Sequence, residues 1–238
     1  MNVNGKKSIK ARNIKVTASV LMRLAGLSAI AAGIIFAGFM PVHPPVNSNE
    51  FMLITSLKTA MSIFGLLGIT GLYARQVEET GWPGLAGYLL LTIFYAGQMC
   101  ISFIELTILP LLTTLAPTFV DSALQLASGT GSSMNLGALA AGYSLISIMY
   151  LLGLLLFGFA MFQARILPSR AAALLALSGP LAGILFALLP TQLDWLTAIP
   201  MGAAMVWLGY ALYSEPPVDS SESLLDQRIV KLEPGKGA

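Results

Sequence analysis

The stretch LAGYLLLTIFYAGQMCISFIELTIL, running from Leu85 to Leu109, decides the fold. Its 25 residues include a single formal charge, Glu105, and a helix of that length exceeds the roughly 20 apolar residues needed to cross a bilayer. Five other segments read the same way, at 21–40, 51–73, 136–162, 171–189 and 196–213. Their separators carry turn chemistry: Pro41, Pro44 and Pro45, then Gly81-Trp82-Pro83-Gly84, then Pro168, then Pro190. The expectation is an all-α polytopic transmembrane bundle of six spans, 21–213, with a basic N-terminal arm at 1–20 and a polar tail at 214–238.

Composition agrees with this reading. Of 238 residues, 56% are hydrophobic and 10% charged, far below the roughly 25% charged residues of a soluble domain. A net charge of +2 offers no basic face for nucleic acid. The lone cysteine, Cys100, cannot form an internal disulfide, and the lone histidine, His43, removes every local constellation that needs two. His43 itself, between prolines in a loop, reads as a solvated side chain. No His-Glu-x-x-His, Cys-x-x-Cys or phosphate-binding glycine loop is present, so no catalytic residue, metal ligand or cofactor is assigned.

Orientation follows from the basic residues, which cytoplasmic loops retain. Lys6, Lys7, Lys10, Arg12 and Lys15 precede the first span, with Arg23 just inside it. Arg75, then Arg165 and Arg170, then Arg228, Lys231 and Lys236 occupy the second loop, the fourth loop and the tail. Twelve of the 13 basic residues therefore share one side, and both termini are expected in the cytoplasm. The first apolar run is too long for the core of a signal peptide and is read as a retained helix.

The third loop contains a helical pattern at 117–127, with Phe119, Val120, Ala123, Leu124 and Ala127 on one face and Pro117 at its start. This predicts a helix lying along the outer surface, either passively or as a lid. In the tail, Leu224, Leu225, Ile229 and Leu232 could form one short amphipathic face that docks a protein partner, the alternative being disorder. Small residues recur at Ala25, Ala29, Gly33 and Ala37, at Gly65, Gly68 and Gly71, and at Gly179, Gly183 and Ala187. They mark helix contacts within the chain, and Gly179-Pro180 suggests a kink.

Polar residues inside spans are costly and mark candidate sites. Tyr95, Gln98, Ser102 and Glu105 lie on one stripe of the third span. Lys58 and Ser62 share a face of the second, and Tyr143, Ser147 and Tyr150 share one of the fourth. Together they form a candidate intramembrane polar cluster. Lys58 and Glu105 fall at matching depths, which suggests an ion pair, the alternative being that Lys58 snorkels while Glu105 is protonated or faces a wet crevice.

Gly71-Leu72-Tyr73-Ala74-Arg75, and Gly158 with Ala164-Arg165-Ile166-Leu167-Pro168, give a layout that resembles uncharacterised six-helix integral membrane proteins of bacteria. That resemblance implies a plasma-membrane location and carries no activity with it. The functional expectation is a non-catalytic binding or regulatory component embedded in the bilayer. The alternative is a small transporter whose polar interior includes Lys58, Gln98 and Glu105.

Overall fold

The computed structural model describes residues 17–215. The basic arm up to Val16 and the tail beyond Glu215, including the apolar face suggested at 224–232, lie outside the described residues. Among those described there is no strand. Eight α-helices follow in order: α1 Ala18–Phe39, α2 Asn49–Ala74, α3 Val77–Thr107, α4 Leu109–Leu112, α5 Pro117–Ala127, α6 Ala138–Ala164, α7 Ser169–Leu188 and α8 Ile199–Ser214. A 3-10 turn, Thr191–Ala198, leads into α8. Six helical segments are long and apolar enough to cross a membrane: α1, α2, α3, α6, α7 and the stretch Trp195–Ser214.

Local chemistry sets the ends. Thr17 and Ser48 cap α1 and α2, accepting from the backbone N–H of Val20 and Phe51. Arg165 ends α6 in the left-handed conformation at φ 55°, and Pro168 precedes α7. The sequence Gly81-Trp82-Pro83-Gly84 is a break rather than a loop. Gly81 adopts φ 57°, ψ −156°, a region open to glycine, and separates the first turn of α3 from its long apolar part. The third span therefore begins about Pro83, slightly before the expected Leu85. Helical geometry continues through Gly179-Pro180, so α7 has no break at that point.

The six long helices alternate in direction, and each packs on its neighbours in sequence. The circuit closes where α8 returns to α1. Leu21, Leu24, Ile34, Leu53, Leu67, Ile93, Phe103, Phe159 and Leu177 are exposed on its outside, as a lipid-facing surface requires. Inside lie Met61, Ile69, Leu72, Leu91, Leu154, Phe157, Met205 and Leu208.

Burying leucine gains little when the solvent is itself apolar, so helices in lipid associate by close approach. The stripe on α1 serves two neighbours at once: Ala25 and Ala29 meet Gly71 and Gly68 of α2, while Gly26 and Gly33 meet α8. A Cβ on Gly33 would stand 2.6 Å from the Gly202 carbonyl oxygen, and one on Gly202 would stand 2.6 Å from that of Gly33. Gly26 and Gly209 oppose each other in the same way, at 2.7 and 2.6 Å.

Tightness differs between the two ends. All the buried residues of α6 lie from Gly153 to Met161, and those of α7 from Ala171 to Gly179, in the halves nearest Arg165 and Arg170. In the opposite halves, Gly142 and Gly183 have nothing within 4 Å of an added Cβ. On the α6–α7 side the bundle is tightly packed at this basic end and loosely packed at the other, here termed the loop end, which carries the α1–α2 loop and the α3–α6 connection. Substituting alanine at Gly33 or Gly209 should lower unfolding free energy by roughly 1–3 kcal/mol. Gly183→Ala should be neutral or slightly stabilising, and steric-trap or denaturant unfolding in detergent would measure both.

Candidate functional site

At the loop end, a cavity of about 530 Å³ lies between α1, α2, α3 and α6. Six of the nine residues expected in the polar cluster line it: Lys58, Gln98, Glu105, Tyr143, Ser147 and Tyr150. Ser62, Tyr95 and Ser102 are buried but stand behind the lining. Ser62 Oγ donates to the Lys58 carbonyl at 3.1 Å, Ser102 Oγ accepts from Gln98 Nε2 at 3.2 Å, and the Tyr95 ring packs against Gly65 and Phe94.

Lys58 and Glu105 share the cavity without forming an ion pair, contrary to expectation. Among the described residues the single ion pair is Arg75–Glu215, 2.6 Å at the basic end. Lys58 Nζ instead donates to the Val42 carbonyl at 2.9 Å, in the α1–α2 loop. Glu105 Oε1 accepts from the Tyr143 hydroxyl at 2.8 Å, linking α3 to α6. Each side chain finds a partner on its own side of the cavity.

Aromatic rings form the floor. Tyr150 stacks with Phe36, centroids 6.1 Å apart, and tilts against Phe94 at 4.8 Å; Phe94 in turn meets Tyr95 at 5.0 Å. Deeper still, Tyr73 stacks on Tyr88 and meets Phe157. The cavity is closed toward the basic end by these rings together with Met61, Leu91 and Leu154.

Helix α5 occupies the predicted residues, with Val120 and Ala123 buried against Leu109 and flanked by Val46, Leu112 and Leu124. It is more than a passive surface helix, because Leu126, Ala127 and Gly129 at its end line the cavity. Ser122 ties it to the connector by a 2.7 Å hydrogen bond with Ser133. Beneath it, a second space of about 340 Å³ is walled by apolar side chains, among them Ile104, Leu112, Phe119 and Leu139. Ile101, Glu105 and Tyr143 line both spaces, so the Glu105–Tyr143 hydrogen bond stands in the wall between them.

Sequence reasoning missed Ser144, Phe36 and Phe94 among the lining residues, and also His43. His43 is exposed to solvent at the cavity mouth, yet it is not the plain solvated side chain expected from its loop. Its Nδ1 lies 3.0 Å from the Pro41 carbonyl, an acceptor, so Nδ1 carries the proton and Nε2 is left as an acceptor. Crowding by the surrounding protein, and next the charge of Lys58, hold its pKa down to about 4 against the Pro41 contact. The imidazole is neutral at physiological pH. Its place follows from the loop contact in which Val42, the preceding residue, receives Lys58, and the sequence carries no signal for that contact.

No family model, curated protein or solved structure matches the chain. Among the described residues no group of three or more His, Cys, Asp or Glu side chains is placed to hold a metal ion.

His43 binds its proton more weakly folded than unfolded, so protonation favours the unfolded chain. Its contribution to stability should be complete above pH 6.5 and be lost as pH falls from 6.5 toward 4. His43→Gln should flatten that part of the pH profile, as read by thermal unfolding of the two proteins over this range.

Proposed function

We propose that the protein is a bilayer-embedded binding component, without chemistry of its own, whose cavity holds a small amphipathic molecule. One observation carries this reading: a pocket with charged and polar walls and an apolar floor, open at one end of the bundle and closed toward the other. Its volume of about 530 Å³ falls within the roughly 300–1,000 Å³ of small-molecule sites. A transport path would need polar groups continuing beyond the floor, whereas Tyr95, Leu91, Leu154 and Phe157 are packed there.

The asymmetry of Lys and Arg supports cytoplasmic termini in a bacterial plasma membrane, with the cavity facing outward. The tail at 214–238 would then be available to a cytoplasmic protein partner. In this arrangement the occupant of the outer cavity biases the packing of α3 against α6, which meet through the Glu105–Tyr143 bond.

Native mass spectrometry of the purified protein should reveal a small-molecule adduct that disappears when Ser147→Trp fills the cavity. An adduct unaffected by that change would place binding elsewhere. Flux of the identified molecule into proteoliposomes would replace this reading with a transporter.

A further inference from the structure

We infer that the cavity selects a zwitterion: a molecule carrying an ammonium group and an anionic group a few bonds apart, with an apolar remainder. The inference rests on the binding role proposed above and names the class of ligand.

Two opposite charges line one space without touching. Lys58 is buried at 5% exposure, and only one of its three ammonium protons is engaged, by Val42. Glu105 offers one carboxylate oxygen to Tyr143, while Oε2 has no hydrogen-bond partner among the described residues. Each group keeps bonding capacity beside the cavity it lines, with Lys58 buried and Glu105 half-buried. A charge in such surroundings is stabilised by a counter-charge with good hydrogen-bond geometry.

A neutral ligand could return some of the hydrogen bonds of the displaced water but would bring no counter-charge to either group. A single anion would serve Lys58 and leave Glu105 facing it across low dielectric; a single cation would do the reverse. A zwitterion satisfies both, and the filled site is neutral overall. His43 adds no charge at the mouth, because its imidazole is unprotonated near neutral pH. Gln98 and Ser147 supply neutral hydrogen-bonding capacity, while Phe36 and Phe94 in the floor receive the apolar part.

The same chemistry belongs to a free amino acid with an apolar side chain and to the headgroup of an aminophospholipid, and the test separates them. Delipidated protein in detergent would be unfolded thermally with L-phenylalanine, with N-acetyl-L-phenylalanine as the anion-only relative and L-phenylalaninamide as the cation-only relative. A parallel series would compare dioleoylphosphatidylethanolamine with dioleoylphosphatidylglycerol. In at least one series the zwitterion should raise the unfolding midpoint while its singly charged relatives do not, and the responding series identifies the source. Lys58→Met and Glu105→Gln should each weaken the response by about tenfold or more in apparent Kd, with Lys58→Arg retaining most of it. The wild-type comparison holds even where a variant folds poorly.

A singly charged relative that stabilises as well as the zwitterion overturns the two-charge assignment while leaving the binding cavity in place. No shift with either zwitterion also overturns the assignment. Failure of the binding role itself shows separately, as a native-mass adduct indifferent to Ser147→Trp.

Discussion

The architecture depends on the contact that brings α8 back to α1. In a lipid solvent that contact gains almost nothing from apolar burial, so it needs backbones close enough for dispersion and Cα–H···O interactions to act. Gly26, Gly33, Gly202 and Gly209 allow that approach, each standing where a methyl group would strike the opposing helix. With this seam closed, six antiparallel helices form a circuit in which every long helix has two packed neighbours. Without it, α1 would pack chiefly on α2, and α8 chiefly on α7.

The same requirement explains why the two ends differ. Gly87 of α3 lets the backbone of α6 approach at Phe157, and Gly158 of α6 does the same for α7 at Ala176. Both contacts belong to the basic half. Toward the loop end α6 presents Tyr143, Ser144, Ser147 and Tyr150 to the cavity, side chains that keep helices apart and carry polar groups. The cavity lies where these α6 side chains, rather than a backbone approach through glycine, meet the neighbouring helices. Its polar walls are tolerable because each charge has one firm protein partner, Val42 for Lys58 and Tyr143 for Glu105.

Much of this was legible in the sequence. Length and apolarity located the six spans, and the Pro117 to Ala127 pattern located α5 to the residue. Polar stripes on three spans pointed to residues of which most line one cavity, since period and depth are properties of a helix that sequence reveals. What sequence could not supply was the direction of a side chain within the bundle. Depth matching placed Lys58 opposite Glu105, but a lysine can turn toward a loop carbonyl a few ångströms away, and it does. His43 acquires its place from that same turn. Gly183 lies on the small-residue pattern of α7 yet faces open space, because a stripe says which face is smooth and not whether a partner arrives.

The cavity is open at the loop end and closed toward the basic end. Single cysteines in a Cys100→Ala background, probed with a small membrane-impermeant thiol reagent added from either side of oriented membranes, test it most directly. Cysteines at Gln98 and Ser147 should react from the side facing the α1–α2 loop, while those at Leu91 and Leu154 should stay protected from both sides. Reaction at Leu91 or Leu154, or labelling of Gln98 and Ser147 only from the side bearing Arg75 and Arg165, would contradict the account.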